Sequence, residues 1–427
     1  MARSADVPAD WNMHVGVAAR HPEHVRFFRY PIEELRADGI DVHVYAREHG
    51  PTVSLLDHYD LPHTVLAGEG ITTTRLVAGH AVYELRLLAA ARRANASVLT
   101  SIGGLSTTHL APLVGAQSVA FVDWQPGAVD GMAIRLADVA SIPSFLDETA
   151  PGLPSVRGRI VRYEGFHELS YLHPERFEPD PDVVRSLGID PEAPLFVTGF
   201  TDPTRRDGLD RPVGTTIRET LSERGTVLGV HEDVSGGDPS AADDLPPTDD
   251  SMSVVDGTKS PDDETTLSTA ESGSLSTPFT CDGYSAGRRS DGGRTTDESP
   301  LNIRTSDSTV DQSLTIPPAA RPHVVAHADL CVGDSMTLAT EAGLLGTPAV
   351  HLPSGRVSER GAALRRRDLL VVATDGPDAV ERTTSLVDDP DAGARWNDRR
   401  DRYLADAVDV AGLAADILRR ESRRGSQ

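Results

Sequence analysis

Short apolar runs alternate with longer amphipathic segments through the first half of the chain. The apolar runs are four to six residues long, as buried strands are, and the segments between them repeat apolar positions with the period of a helix. Such a strand–helix series predicts a parallel sheet with helices on both faces. The predicted strands are residues 13–18, 41–46, 63–66, 98–102, 118–122, 139–142 and 160–163, and the predicted helices are 24–38, 51–59, 76–95, 106–114 and 130–137.

A second series follows a linker whose Pro and Asp residues, at 177–182, supply turn chemistry. It predicts strands at 195–200, 226–231, 330–332, 349–352 and 369–373, helices at 215–224, 319–328, 337–345, near 360 and at 377–387, and one long last helix at 394–420. The expected fold is therefore α/β, with two Rossmann-like, doubly wound parallel-sheet domains at 11–180 and 190–420.

Residues 233–312 interrupt the second series. Ser, Thr, Asp, Gly and Pro dominate this stretch, and large apolar side chains are few. Such a composition cannot bury enough apolar surface to offset the entropy of ordering the chain. We therefore expect a disordered, acidic insertion within the second domain.

The segment 328–353 is predicted to form a strand, a turn, a helix, a turn and a strand. Gly333 ends the apolar run at 330–332, and Asp334 or Ser335 is a suitable cap for the helix that follows. Gly346 stands where a helix-ending glycine belongs, and Pro348 forbids further helix.

The front of this helix is a candidate phosphate site. The backbone N–H groups of Ser335, Met336 and Thr337 would point out of the helix, where the helix dipole also favours an anion. Glu341 lies about one and a half turns further on, within reach of a sugar hydroxyl attached to that phosphate. On spacing alone, a plain strand–helix–strand unit with Glu341 on its solvated face is the competing interpretation.

This segment resembles known nucleotide-sugar enzymes. The run Asp-Ser-Met-Thr-Leu-Ala-Thr-Glu-Ala at 334–342, with Leu-Gly-Thr-Pro at 345–348, resembles the D-S-G-G-x-x-E-E-A…L-G-x-P motif of the non-hydrolysing UDP-N-acetylglucosamine 2-epimerases and the equivalent segment of MurG-like glycosyltransferases. The chain as a whole looks like the archaeal and bacterial family called domain of unknown function 354. The resemblance implies a GT-B-like fold in which the turn from Gly333 and Asp334 to Thr337 holds a diphosphate and Glu341 holds the ribose.

Candidate proton acceptors lie in the first domain. The segment Pro-Glu-His-Val-Arg-Phe-Phe at 22–28 resembles the P-x-H-V-x-F-F segment of the same family, and in two-domain nucleotide-sugar enzymes this loop faces the cleft. His24, with His21 as the weaker alternative, could accept a proton from an acceptor hydroxyl, because the pKa of imidazole lies near neutrality. The competing interpretation is that His24 caps the helix or packs.

Other cleft residues follow the later strands. Gly103 and Gly104 would let a substrate approach the backbone closely, although Gly104 stands where the epimerases carry an aspartate. The segment at 121–127 resembles the H-V-E-A-G segment of the epimerases. Asp123 would then stand in for a carboxylate that those enzymes use, and it is a second candidate base. Glu164 and Glu168, in a segment that resembles the family's Y-x-G-x-x-E-x-x-Y-L motif, are candidates for facing the cleft, and we favour a role in tying the hinge.

The charge balance of the chain indicates its surroundings. The 427 residues carry a net charge of −24, and the only lysine is Lys259. This balance favours life in concentrated salt, where the negative charges of an acidic surface repel one another less.

The composition also limits the classes of partner that we expect. No basic stripe is available to bind nucleic acid, and no apolar run reaches the length of a membrane span. Cys281 and Cys331 give neither a disulfide framework nor a metal site. No glycine pattern supports a nicotinamide cofactor. Without a signal-peptide pattern, a cytoplasmic protein without cofactor is expected.

Glycosyl transfer from a nucleotide sugar, with UDP as the expected nucleotide, to an unidentified acceptor is the function that these features favour. Two alternatives stay open. One is epimerisation of a UDP-sugar, for which Gly104 removes one expected carboxylate. The other is a protein that binds nucleotide sugars without turnover.

Overall fold

The structure, a computed structural model, describes residues 13–68, 76–122, 128–146, 157–202, 204–230 and 316–425. The predicted insertion at 233–312 and the candidate base Asp123 lie outside these residues.

The first lobe is built on a sheet of seven parallel strands in the order β3-β2-β1-β4-β5-β6-β7. The order reverses direction between β1 and β4, and the loops that follow these two strands open a crevice at the carboxyl edge of the sheet. The predicted strands of the first half are confirmed to within two residues. They are β1 His14–Ala19, β2 Asp41–Arg47, β3 His63–Ala67, β4 Val98–Ile102, β5 Gln117–Phe121, β6 Val139–Pro143 and β7 Arg159–Tyr163.

The helices that follow β1 to β5 along the chain are α1 Pro22–Ala37, α2 Thr52–His58, α3 Leu76–Arg93, α4 Leu105–Val114 and α5 Ala128–Leu136. The first of them, α1, begins with Pro22, whose fixed φ suits a first helical turn. One face of α1 carries Phe27, Phe28 and Ile32, which are fully buried in the core. The burial of this face holds α1 in place beside the crevice.

The second lobe has five parallel strands in the order β12-β11-β10-β8-β9. Here the order reverses between β8 and β10, and Gly333 at the end of β10 lies so close to β8 that an added Cβ would stand 1.9 Å from the carbonyl oxygen of Gly199. The elements are β8 Leu195–Gly199, α8 Val213–Ser222, β9 Thr226–Gly229, α9 Arg321–Ala326, β10 Leu330–Gly333, α10 Met336–Leu345, β11 Ala349–His351, α11 Glu359–Arg366, β12 Val371–Val372 and α12 Gly376–Val387.

The chain crosses between the lobes twice. The first crossing contains two short helices, α6 Leu169–Leu172 and α7 Pro181–Ser186, which the sequence analysis did not predict. The second crossing divides the predicted last helix into α13 Ala392–Leu404 and α14 Val410–Gly425, so the prediction of one helix at 394–420 is wrong. The amide of Val408 donates instead to the carbonyl of Glu164, and α14 then packs against α1 of the first lobe.

Candidate functional site

The amino end of α10 is capped within its own turn. Ser335 precedes the helix in extended conformation, and its Oγ accepts from the amide of Leu338 at 3.1 Å. The amides of Met336 and Thr337 occupy the first two helical positions, where the helix itself offers no carbonyl partner. As predicted for this segment, a short strand leads through a turn into a helix that ends at Gly346, whose φ is 83°.

A carboxylate from the first lobe stands at this helix end. The hydroxyl of Thr337 donates to Oε1 of Glu23, in the first turn of α1, at 2.9 Å. Burial alone would raise the pKa of Glu23, but Arg321, Arg360, the Thr337 hydrogen bond and Arg26 together lower it below its usual value. An ionised carboxylate therefore stands where the α10 dipole favours negative charge.

Glu341 is fully buried, with 0% of its surface exposed, so the interpretation that placed it on a solvated face is wrong. Its Oε1 accepts from Arg321 Nη2 at 2.6 Å and from the Tyr171 hydroxyl at 2.8 Å. Its Oε2 has no hydrogen-bond partner in the described part of the chain. Tyr171 belongs to α6, so Glu341 links α10 to the first crossing between the lobes.

A second ion pair joins the same region. Arg360 of α11 donates to Oε1 of Glu168 at 2.7 Å, and Glu168 Oε2 has no hydrogen-bond partner among the residues described. Burial raises the pKa of Glu168, with Arg360 opposing the shift. On α1, Arg26 is buried and donates to the carbonyl of Pro318 at 3.0 Å.

These side chains form what we call the interlobe charge cluster, in which three carboxylates balance three guanidinium groups. Its members come from α1, from the residue before α6, and from α9, α10 and α11. A buried set of this kind is tolerable only because each charge has a close partner or an opposite charge nearby. The members are Glu23, Arg26, Glu168, Arg321, Glu341 and Arg360.

Gly333 and Asp334 make internal contacts. The Asp334 side chain is 1% exposed and accepts from the amide and the hydroxyl of Thr201 at 2.8 and 2.9 Å. Asp334 therefore ties the loop after β8 to the end of β10, and Gly333 permits the close approach of these two strands. Both residues shape the turn that presents Met336 and Thr337.

The histidines predicted as proton acceptors lie at the β1–α1 loop. His24 is buried and hydrogen-bonded to the backbone of Ala18, while its Nδ1 has no hydrogen-bond partner within the described ranges. Burial, with smaller effects from His21 and Arg20, holds the pKa of His24 well below its usual value. The His21 ring lies 5.4 Å from that of His24 and 4.8 Å from that of His49, centroid to centroid. Burial therefore favours the neutral imidazole of His24.

The remaining predicted residues lie in three places. Gly103 and Gly104 form the turn between β4 and α4 with φ of 76° and 84°, beside the β1 loop at the reversal point of the sheet. Glu168 belongs to the interlobe charge cluster. Glu164 does not: its side chain is 58% exposed and lies 3.6 Å from Arg367.

Five residues of this site were not predicted. Tyr171 is the second tyrosine of the Y-x-G-x-x-E-x-x-Y-L pattern, so that segment could have indicated it. Glu23 and Arg26 occupy the two unspecified positions of the P-x-H-V-x-F-F pattern, which therefore indicates neither. Arg321 and Arg360 carry no local pattern that separates them from the many other arginines of the chain.

Three solved structures share the two-lobed architecture of this chain. The spinosyn forosaminyltransferase SpnP matches with a TM-score of 0.53 at 13% identity, over 97% of this chain and 100% of that chain. The fold is that of the GT-B glycosyltransferases. The glycosyltransferase SnogD from Streptomyces nogalater matches with a TM-score of 0.52 at 12% identity, covering 96% and 99% of the two chains. A co-structure of S. aureus MnaA with UDP matches with a TM-score of 0.53 at 11% identity, over 94% of each chain.

No family model matches the chain, and no curated protein matches it either. Across the described ranges, no three His, Cys, Asp or Glu side chains are grouped so that they could hold a metal ion. In the same ranges, no helix has both the length and the apolar character to cross a membrane.

Proposed function

We propose that this chain binds a nucleotide sugar between its two lobes and transfers the sugar to an acceptor. The observation that carries the proposal is the meeting of α10 with α1, where Thr337 holds the carboxylate of Glu23 at 2.9 Å. The helix dipole that favours this carboxylate also favours a phosphate, which the amides of Met336 and Thr337 would bind. The GT-B fold, the UDP in the MnaA co-structure and the likeness of residues 334–348 to the epimerase motif support a nucleotide sugar as ligand.

The donor site follows from the contacts of α10. The amides of Met336 and Thr337, with Ser335 beside them, would bind the diphosphate. Glu341 would accept from a ribose hydroxyl through Oε2, the oxygen without a partner among described residues. Because Glu341 is fully buried, the ribose reaches it only when Tyr171 or Arg321 moves aside.

His24 is the favoured proton acceptor, with Asp123 as the other candidate. As the acceptor oxygen attacks the anomeric carbon, its proton passes to Nδ1 of His24, and the nucleoside diphosphate leaves with the electrons of the broken bond. The low pKa of His24 keeps the imidazole neutral before the reaction. The α10 amides stabilise the charge that develops on the departing phosphate.

Calorimetric titration with UDP in molar KCl tests the donor site. We expect Glu341→Ala to weaken UDP binding at least tenfold, because the ribose loses a charged acceptor. Glu381→Ala, at an exposed position of α12, is the matched control and should leave the dissociation constant unchanged. Equal dissociation constants for wild type and Glu341→Ala would refute the assignment of Glu341.

Epimerisation is the second candidate, favoured by the likeness of residues 334–348 to the epimerase motif. Incubation with UDP-N-acetylglucosamine alone separates the two reactions, because only an epimerase changes this compound without an acceptor. UDP binding combined with no turnover across a panel of acceptors would support a binding protein instead.

A further inference from the structure

A cavity lies beside both crossings between the lobes, and its lining contains no member of the interlobe charge cluster. It has a volume of about 540 Å³, within the range of about 300 to 1,000 Å³ that holds small molecules in proteins. Glu164, which follows β7, stands at one side, and Asp406 and Ala407 of the second crossing stand at another. We call it the crossing cavity.

Arginines dominate the wall of the crossing cavity. Arg366 and Arg367 come from the end of α11, and Arg399 and Arg402 from α13. Arg366, Arg399 and Arg402 have no carboxylate within 4.0 Å in the described part of the chain. Elsewhere arginines such as Arg211 and Arg382 pair closely with acids. Three unpaired guanidinium groups in one cavity of a chain with net charge −24 indicate a site for a negatively charged ligand.

Three acidic residues also line the cavity and reduce its positive charge. Glu164 lies 3.6 Å from Arg367. Arg399 donates to the backbone carbonyl of Asp368 at 3.0 Å rather than to its carboxylate. Asp368 and Asp406 form no ion pair with any described residue. The lining holds four arginines and three acids, so it keeps an excess of one positive charge.

Tyr403 adds a neutral donor to this wall. Its hydroxyl is buried and has no hydrogen-bond partner among the described residues, and burial raises its pKa. The guanidinium of Arg367 lies 5.2 Å from the centre of the Tyr403 ring and 5.8 Å from that of the Phe166 ring. These two cation–π contacts hold Arg367 in place. Among the residues described, Arg402 donates only to a backbone carbonyl, that of Asp398, at 3.2 Å. A protonated phenol beside guanidinium groups that no described carboxylate neutralises suits a phosphate oxygen, which accepts from both.

We propose that the crossing cavity binds a small molecule with two linked phosphate groups. Planar guanidinium groups match phosphate oxygens in pairs, and three of them can bind two phosphates at once. A ligand here contacts α11 and α13 of the second lobe and also the second crossing, where Val408 bonds to the carbonyl of Glu164 at 3.0 Å. Such a ligand would therefore bridge α11, α13 and the second crossing.

Calorimetric titration with inorganic pyrophosphate, with saturating UDP present so that the donor site is occupied, tests this proposal. We expect binding to wild type and a loss of at least tenfold in affinity for Arg399→Gln/Arg402→Gln. The matched control is Arg36→Gln/Arg93→Gln, which removes two exposed arginines of the first lobe and should bind as wild type does. If the double variant fails to fold, Arg366→Gln replaces it in the test. This substitution is at an exposed position and should also weaken pyrophosphate binding.

Several outcomes would overturn the proposal. They are no pyrophosphate binding to wild type, equal affinity for wild type and the cavity variants, or an equal loss in the control. Tighter binding of citrate than of pyrophosphate would show that the cavity prefers carboxylates. The proposal does not depend on the donor site: if UDP does not bind, the titration without UDP still compares the same variants.

Discussion

At the scale of single residues, Glu23 has an unexpected position. Its carboxylate stands at the α10 end that we assign to the donor diphosphate, so the two anions would compete. Because one charge at a helix end is worth about 0.3–1 kcal/mol, we expect Glu23→Gln to tighten UDP binding about two- to fivefold. Glu33→Gln, on an exposed turn of the same helix, is the control. Weaker binding by Glu23→Gln would show that Glu23 contributes to the donor site.

The ion pair between Arg360 and Glu168 allows a second test at this scale. Both side chains are largely buried, and removal of one partner leaves an uncompensated charge. We expect Arg360→Met to lower the free energy of unfolding by about 3–5 kcal/mol, measured by urea denaturation in molar KCl. Arg360→Met/Glu168→Met should regain most of that loss, and a double variant no more stable than the single one would contradict the pairing.

The sequence indicated some of these residues and not others for a physical reason. Ser335 and Gly346 were predictable because caps act within one helix end. The partners of Glu341 were not, since Arg321 and Tyr171 lie 20 and 170 positions away and only the folded chain brings them together.

At the scale of elements, apolar periodicity predicted the strands well, because buried parallel strands are continuous apolar runs. It failed at the last helix. Residues 405–409 contain neither Gly nor Pro, and the helix ends there because Val408 bonds to a carbonyl of the other lobe. Helices α6 and α7, with four and six residues, are too short for a periodic pattern to appear.

Asp409 should hold the start of α14. It accepts from the amide of Ala411 at 3.1 Å and forms an ion pair with Arg176. We expect Asp409→Ala to lower the free energy of unfolding by about 2 kcal/mol, from the lost cap and part of the ion pair. Asp416→Ala, at an exposed carboxylate on α14, should cost less than about 1 kcal/mol. Equal losses in the two variants would contradict a special role for Asp409.

At the scale of the whole molecule, pH should affect stability through buried histidines. Burial lowers the pKa of His351 to about 4 from a usual 6.5. Between these pH values the imidazole of His351 is protonated in the unfolded chain and neutral in the folded chain. The free energy of unfolding therefore falls as the pH falls from 6.5 to about 4. His351→Gln should make this fall shallower by up to about 1.4 kcal/mol per pH unit, measured by urea denaturation across that range. An unchanged slope would contradict the shift.

Net charge belongs to the same scale. With −24 charges on the chain, self-repulsion opposes the compact state, and salt screens it within about 3 Å at molar concentration. We therefore expect the melting temperature to rise as KCl increases from millimolar to molar. A melting temperature that is flat or falls across this range would contradict the interpretation of the acidic surface.

The placement of α14 against α1 has a consequence for biosynthesis. Val410, Ala414 and Leu418 of α14 enter the same core as Phe27 and Leu35 of α1, although nearly the whole chain separates them. A ribosome makes α1 long before α14, so one apolar side of α1 stays uncovered until α14 has been made. Until then the emerging polypeptide needs a temporary cover, such as a chaperone, because contacts this distant in sequence form late.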